Sequence, residues 1–266
     1  MNVNNERILF LNKIKKNKRI IFISRLSIIA LLIIIWELLA RFNLINTFLT
    51  SSPTDIIKTS IKLINDGSLF KHTFITLYEV ILSFIISFSI SLVISTLLWN
   101  NKTLAKVIDP YLTILNSLPK VALGPLIIIL IGASNSSIIF MSLLISTFVT
   151  IINIYNSFVS TDKNYIVLLK SMKASKKDIF LKVILPSNFI NIINSIKINI
   201  SMNFIGVIMG ELLVSKEGLG YLIMYGSQVF NINLVITSVV ILGILSYLMY
   251  FIIDKIESSI RKKRLF

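Results

Sequence analysis

One segment of the 266-residue sequence, residues 165–186, reads YIVLLKSMKASKKDIFLKVILP. It carries too many lysines to cross a membrane and too many apolar residues to be a solvated linker, so two short surface helices are predicted. The apolar residues expected to share a face are Leu168, Leu169 and Met172 in the first helix and Ile179, Phe180 and Val183 in the second. Ser175 and Asp178 have nearly the spacing of a capping box, so the second helix is predicted to begin at Ser175. Apolar ridges of this kind favour contact with a membrane surface or with a partner's groove.

The composition places most of this chain in a lipid bilayer. Hydrophobic residues make up 55% of it, charged residues only 15%, and the mean hydropathy is +0.85. One soluble core could not hide that much apolar surface. Several runs of about 20 residues carry one charge or none, which is the length needed to cross roughly 30 Å of hydrocarbon. We therefore expect an all-α, polytopic membrane protein.

Six membrane-spanning helices are predicted, at about residues 21–40, 76–99, 111–133, 138–158, 192–214 and 235–253. The first is interpreted as a retained signal anchor rather than a cleavable signal peptide, because its end is a poor cleavage site. An amphipathic helix that starts at Ser52-Pro53, within residues 48–72, is expected to lie on the membrane surface. Pro119 and Pro125 are predicted to kink or break the third span, and a simple loop-to-helix boundary is an equal alternative for Pro119.

The basic residues indicate which side of the membrane each connection faces. Of the 27 lysines and arginines, 22 lie in the N-terminal segment, in residues 100–120, in residues 162–197 and from residue 254 onward. These are alternate connections, and basic residues are retained on the cytoplasmic face. Basic cytoplasmic termini at residues 1–20 and 254–266 are therefore predicted around one transmembrane domain at residues 21–253, with its core at about 72–253.

Two other function classes are disfavoured by the composition. The net charge of +15 could indicate nucleic-acid binding, but the basic residues form no single domain with interleaved aromatics, so no nucleic-acid partner is predicted. The chain has no cysteine and one histidine, so no disulfide, thiolate site, metal site or cofactor is predicted.

Small and polar side chains recur at helical spacing in two of the spans. In the second span they are Ser83, Ser87, Ser91 and Ser95, for which close helix packing is favoured over a polar substrate groove. In the fifth span they are Asn199, Asn203, Gly206 and Gly210, for which packing and a wet translocation pathway remain open.

Acidic residues in or near the spans are candidate functional groups. Glu211 follows the fifth-span stripe, where an unpaired carboxylate is costly; the alternative is a carboxylate at the headgroup level paired with Lys216. Glu37 and Glu79 lie at the ends of predicted spans, so interfacial positions are expected for them.

Residues 173–175 (KAS) and 180–186 (FLKVILP) resemble the coupling loop of ABC importer permeases. Further landmarks over about residues 51–223 are similar to the nitrate, sulfonate and taurine branch of that family. They are Ser52-Pro53, His72 with Thr76-Leu77, Asp109-Pro110, residues 118–126 (LPKVALGPL), Gly210-Glu211 and Gly218-Leu219-Gly220. The resemblance implies a type I importer fold with an ATPase-coupling loop at about residues 161–190. The coupling residues it implies are Leu169, Met172, Lys173, Ala174, Ser175, Phe180, Leu185 and Pro186.

The chain departs from the family pattern at three places. Residues 167–169 (VLL) stand where the family usually has Glu-Ala-Ala, and Lys173 stands where it usually has a glycine that permits a tight turn. Glu79 occupies a position where many relatives carry arginine.

The resemblance implies a permease that forms the translocation pathway of a small solute, as a homodimer in a bacterial plasma membrane. Its implied partners are cytoplasmic ABC ATPase subunits, an extracellular or periplasmic solute-binding protein, a second permease copy and membrane lipid. The pathway is predicted to involve Asn199, Asn203, Gly206, Gly210 and Glu211. No Gly-xxxx-Gly-Lys-Ser/Thr motif is present, so ATP hydrolysis is assigned to a partner. The alternative is a secondary transporter or channel that works without an ATPase; nitrate, sulfonates, taurine, bicarbonate and a thiamine precursor all remain candidate solutes.

Overall fold

The computed structural model describes the backbone of residues 3–264 and, apart from 14, 15 and 18, the side chains of residues 12–259. Within residues 3–264 all regular secondary structure is helical, which confirms the all-α prediction. The α-helices are α1 (Val3–Arg41), α2 (Thr47–Thr50), α3 (Pro53–Asn65), α4 (Ser68–Asn100), α5 (Lys102–Ser117), α6 (Gly124–Ile131), α7 (Asn135–Val159), α8 (Lys163–Ser171), α9 (Lys176–Ile179), α10 (Leu185–Ser187), α11 (Phe189–Val214), α12 (Leu219–Gln228) and α13 (Ile232–Arg264). A 3₁₀ helix (Lys120–Leu123) precedes α6, and a π-helical segment (Phe180–Ile184) joins α9 to α10.

Five helices of the described chain hold an apolar stretch long enough to cross a membrane. These stretches are Arg19–Arg41, Ser68–Asn100, Asn135–Val159, Phe189–Val214 and Ile232–Ser259. A sixth apolar unit is broken: Lys102–Ser117 and Lys120–Ile131 meet at 81°. Six spans result if this bent pair crosses the membrane as one unit.

The break in the third span lies at Pro119, as predicted. The preceding residue, Leu118, is extended (φ −61°, ψ 141°), as expected before a proline, and Pro119 has no amide proton to continue the helix. The predicted bounds of this span, residues 111–133, are wrong because α5 already begins at Lys102.

The surface helix α3 begins where the sequence predicts it. The Ser52 side chain accepts a hydrogen bond from the Asp55 amide at 3.1 Å, and Pro53 is the first helical residue. The predicted end is wrong: Gly67, with φ +74°, breaks the helix, and α4 begins at Ser68. The second span therefore starts about two turns earlier than residue 76.

Helices α4, α7 and α11 pack against one another and form the core. The serine stripe of α4 lies in this contact, since Ser83, Ser87, Ser91 and Ser95 are all fully buried. Ser91 Oγ donates to the Thr147 carbonyl at 3.1 Å and Ser95 Oγ to the Ile151 carbonyl at 3.0 Å, both on α7. Small hydroxyl side chains thus let α4 and α7 approach closely, which confirms the packing interpretation.

Helix α1 lies outside this core and contacts α3 near its own C-terminal end. Glu37 accepts a hydrogen bond from the Thr54 amide of α3 at 3.1 Å and pairs with Arg41 at 2.7 Å. The apolar side chains of the preceding turns are exposed, for example Leu31 at 59% and Leu32 at 60%. This pattern is the one expected for a helix surrounded by lipid.

Candidate coupling segment and buried polar clusters

Residues 161–190 fold as two short helical arms joined by a tight turn. Asp162 caps α8, where its side chain accepts a hydrogen bond from the Asn164 amide at 2.9 Å. After the turn Ser175 caps α9, which continues through Phe180–Ile184 into α10. The two surface helices and the start at Ser175 are confirmed.

The turn between the arms contains a lysine in a conformation that favours glycine. Lys173 has φ +58°, its amide donates to the Lys170 carbonyl at 2.9 Å, and the Ala174 amide donates to the Leu169 carbonyl at 3.0 Å. These two bonds define a Schellman motif with Lys173 at the left-handed position. A residue with a side chain in this conformation destabilises the folded protein by about 1 kcal/mol relative to glycine. The tight turn is therefore retained although the glycine is absent.

The start of α9 is fixed by three polar side chains. Ser175 Oγ accepts a hydrogen bond from the Asp178 amide at 3.1 Å and donates one to the Asp178 carboxylate at 2.5 Å. Lys182 forms an ion pair with the same carboxylate at 3.0 Å. The hydrogen bond from Ser175, with the Lys182 contact, holds the pKa of Asp178 below its ordinary value. Asp178 therefore stays ionised at neutral pH and completes the cap.

Half of the predicted coupling residues face the permease core. The Phe180 ring lies 5.1 Å from the Trp99 ring of α4 and 5.5 Å, edge-on, from the Phe158 ring of α7. Leu169, Ala174, Phe180 and Leu185 all pack against one buried cluster that includes Phe158. These contacts fix the segment to the C-terminal ends of α4 and α7.

The opposite side of α8 presents an apolar surface. Tyr165 is 57% exposed, Leu168 58% and Met172 71%. Their spacing of i, i+3 and i+7 places them on one helical face, which we call the outer face. The prediction that Leu168 and Leu169 share a face is wrong, because Leu168 points outward while Leu169 is half-buried. The predicted residues Lys173, Ser175 and Pro186 are also exposed.

The amides of α11 form a buried hydrogen-bond network with α4 and α7, which we call the amide cluster. Asn199 Nδ2 donates to Thr150 Oγ1 at 2.8 Å, and Asn203 Nδ2 donates to Ser87 Oγ at 3.0 Å. Ser142 Oγ in turn donates to Asn203 Oδ1 at 2.7 Å. Both amides are fully buried, and each side-chain nitrogen and oxygen has at least one hydrogen-bond partner.

The glycines of the same stripe are points of close helix contact. A Cβ on Gly206 would collide with the Ser142 backbone, and one on Gly210 would lie 2.8 Å from the Ile138 Cα. Asn199, Asn203, Gly206 and Gly210 therefore pack α11 against its neighbours within one subunit, and none of them lies at an open surface of that subunit. Their part in translocation stays a prediction.

Glu211 lies in a second buried group at the other end of α11. Its Oε1 accepts a 2.6 Å hydrogen bond from Thr76 Oγ1, and its Oε2 accepts a 2.5 Å bond from the Gly220 amide. Thr76 Oγ1 also accepts from the Leu219 amide at 2.8 Å. Glu211 is 1% exposed and makes no ion pair with Lys216. The landmark residues near positions 76, 211 and 220 are thus brought together in space.

Two further landmark residues complete this group. The Gly218 amide donates to His72 Nδ1 at 2.9 Å. Gly218 has φ +104°, and a Cβ there would collide with the Glu211 carboxylate. Only glycine therefore allows the turn to close over Glu211.

Glu79 also belongs to this group, although the sequence suggested an interfacial position for it. It is fully buried and lies beside Glu211. The prediction is wrong because α4 begins at Ser68, which places Glu79 about three turns inside the helix.

Comparison with known proteins identifies the family. Residues 85–262 match the family of binding-protein-dependent transport system inner membrane components. This match covers more than half of the chain, and the chain belongs to that family. It is the permease subunit of an ABC importer, an integral inner-membrane protein, and the ATPase is a partner subunit.

Two named transport permeases are similar to this chain over nearly its whole length. A permease of Bacillus subtilis (strain 168) named for aliphatic sulfonates transport, SsuC, is 27% identical over 93% of this chain and 90% of its own. The formylaminopyrimidine transport permease protein ThiX of Halalkalibacterium halodurans is 28% identical over 88% and 94%. These relatives support an importer permease of the nitrate and sulfonate type.

Solved structures of low sequence identity share the fold. The MetNI methionine ABC transporter in inward-facing conformations matches with a TM-score of 0.62 at 23% identity, over 69% of this chain and 92% of that chain. An amino acid ABC transporter structure with histidines matches with a TM-score of 0.56 at 15% identity, over 79% and 97%. The type I importer permease fold is thereby established.

Proposed function

We propose that residues 161–190 form the surface through which this permease is coupled to its ATPase partner, and that the outer face of α8 makes the apolar contact. The observation that supports this most is the exposure of Leu168 and Met172 beside an arm that is otherwise anchored in the core. An apolar helical face of this length suits a hydrophobic groove in a partner. The lysines around it favour an acidic rim on that groove.

The inward contacts give the segment a mechanical connection to the spans. Phe180 touches Trp99 at the end of α4 and Phe158 near the end of α7. A displacement of α8 and α9 by the ATPase would therefore be transmitted to two core helices through one aromatic cluster. We propose that alternating access of the pathway is driven in this way.

The coupling proposal is tested by co-purification of the permease with its ATPase subunit. Leu168→Asp places a charge on the outer face and is expected to abolish co-purification. Val107→Asp is the matched control, because Val107 is 57% exposed, lies on the connection predicted to be cytoplasmic and is outside the segment. Equal retention of the ATPase by both variants would contradict the proposal.

The second membrane subunit is proposed to be another copy of this chain. Support comes from the resemblance and from strongly exposed apolar side chains on α6, Ile129 at 79% and Leu130 at 74%, which need lipid or protein cover. The exposed side of α1 is proposed to contact lipid. Co-purification of two differently tagged copies tests the pairing, and recovery of only one tag would point to a paralogue.

The solute is proposed to be a small polar molecule delivered by a binding protein, as the names of the sulfonate and formylaminopyrimidine relatives suggest. The transporter is reconstituted with its binding protein, and its uptake of an aliphatic sulfonate and of a pyrimidine is measured in competition. The solute that is taken up distinguishes these two classes. Uptake in the absence of the ATPase would instead favour a secondary transporter.

The amide cluster and Glu211 are proposed to act on translocation through the position of α11. Asn203 holds α11 to both α4 and α7, so Asn203→Leu is expected to reduce uptake. Glu211→Ala removes the contact with Thr76 and is expected to do the same. Normal uptake by both variants would contradict this role.

A further inference from the structure

Glu79 of α4 and Glu211 of α11 place two carboxyl groups side by side in the protein interior. Glu79 is 0% exposed and Glu211 1% exposed, and the two carboxyl groups lie close enough to interact with each other. Two ionised carboxylates at such a distance repel each other, and neither can donate a hydrogen bond.

The basic groups near this pair are engaged elsewhere. Lys71 of α4 forms an ion pair with Glu217 at 2.6 Å, and His72 Nδ1 accepts the Gly218 amide. Lys216 forms no ion pair with either carboxyl, α7 carries no charged residue, and the titratable groups of α12 are Tyr221 and Tyr225. Among the side chains that the structure describes, none supplies a positive charge to Glu79 or Glu211.

The hydrogen bonds of the two carboxyls are unequal. Both oxygens of Glu211 accept bonds, from Thr76 and from the Gly220 amide. Both oxygens of Glu79 are buried and receive no donor from the described residues. An ionised Glu79 would therefore be an uncompensated buried charge, which is far more costly than a neutral carboxyl that donates to its neighbour.

We propose that Glu79 and Glu211 form a proton-binding site, in which one proton from solution is bound by Glu79 and donated in a hydrogen bond to Glu211. Binding changes the charge of the pair from two negative charges to one, and no other reactant is needed. The remaining charge lies on Glu211, where Thr76 and the Gly220 amide stabilise it. Because residues 218–220 close over the Glu211 carboxylate, the proton is held while α4, α11 and this turn stay packed.

Infrared spectroscopy tests the proposal on the purified full-length permease. A detergent without ester groups is required, since lipid esters absorb near the protonated carboxyl band. At pH 7.5, where exposed carboxyls are ionised, the wild type is expected to show a protonated carboxyl band that shifts in D₂O. Glu79→Gln is expected to lose it, and Glu217→Gln, which alters an exposed carboxyl nearby, to keep it. Absence of the band in the wild type, or an unchanged band in Glu79→Gln, would overturn the proposal.

The pH dependence of unfolding is a second test that does not need an assigned spectrum. The folded state holds a proton that the unfolded chain releases above about pH 5, so stability falls as the pH rises. For one proton, the folding equilibrium constant is expected to fall up to about tenfold per pH unit between pH 6.5 and 8.5. Glu79→Gln, whose amide can donate to Glu211 at every pH, is expected to remove this slope. A slope unchanged in Glu79→Gln, or one that disappears when Na⁺ or K⁺ replaces choline, would show that a proton is not the ligand.

Discussion

Thr76 and Glu211 are 135 positions apart in the sequence, yet Thr76 Oγ1 donates a 2.6 Å hydrogen bond to Glu211 Oε1. The same hydroxyl oxygen accepts the Leu219 amide at 2.8 Å. One threonine thus joins α4, α11 and the start of α12. This relationship explains why His72, Thr76, Glu211 and Gly218 recur as separate landmarks: they are parts of one buried group.

Replacement of Thr76 by valine is expected to destabilise the permease by about 1–3 kcal/mol. The valine has a similar shape but leaves a Glu211 oxygen and the Leu219 amide without their partner, and buried orphaned groups have that cost. Unfolding in detergent measures the change. Thr73→Val, about one turn earlier on α4 and only half-buried, is the control with a small expected effect. Equal effects of the two variants would argue against the assigned hydrogen bonds.

The close contact of α11 with α7 predicts that Gly206 tolerates no side chain. Gly206→Ala places its Cβ against the Ser142 backbone, so the helices must separate or the amide cluster must distort. A loss of at least about 1–3 kcal/mol is expected, typical of overpacked cores. Gly243→Ala is the matched control, because no atom lies within 4 Å of its added Cβ. That variant is expected to be neutral or slightly stabilising; the reverse ranking would be incompatible with this packing.

The turn at Lys173 predicts a stabilising substitution. Lys173→Gly relieves the left-handed strain and is expected to raise stability by up to about 1 kcal/mol, less the entropy that glycine adds to the unfolded chain. Lys173→Ala also removes the charge but keeps the strain, so it separates the two causes. If Lys173→Ala stabilises the protein as much as Lys173→Gly, charge rather than conformation is responsible.

The position of Phe180 predicts a structural effect rather than a direct loss of partner contact. Phe180→Ala is expected to cost about 2 kcal/mol, below the roughly 3–5 kcal/mol of fully buried phenylalanines, because Phe180 is half-buried. Leu181→Ala, next to it but 51% exposed, is expected to have little effect on stability. A stable Phe180→Ala variant that loses its ATPase would instead place Phe180 in the interface.

Much of the fold could be predicted because a membrane imposes simple rules on sequence. The lengths of the apolar runs predicted the spans, and Pro119 predicted the break in the third span. Ser52 and Ser175 predicted the starts of α3 and α9. Helix bounds failed where no local signal was strong: α4 continues back to Ser68 because Gly67 rather than the apolar run sets its start. The misplacement of Glu79 followed directly from that error.

The site was predicted only in part, because its geometry depends on long-range packing. Spacing correctly grouped Asn199, Asn203, Gly206 and Gly210 on one face, but it could not show that this face meets Ser87 and Ser142. Likewise, the sequence indicated a candidate coupling segment without separating inward Leu169 from outward Leu168. The i, i+3, i+7 spacing of the outer face is present in the sequence. Helical spacing alone, however, does not show which face of a helix packs against the rest of the protein.

Cysteine cross-linking can test directly whether the outer face of α8 contacts the ATPase. The permease chain has no cysteine, so a single introduced cysteine is its only thiol. The most direct measurement is cross-linking in the assembled transporter from Met172→Cys, with Val107→Cys as the control of similar exposure. A cross-link to the ATPase subunit is expected from Met172→Cys and not from Val107→Cys. A cross-link from Val107→Cys and none from Met172→Cys would contradict this expectation.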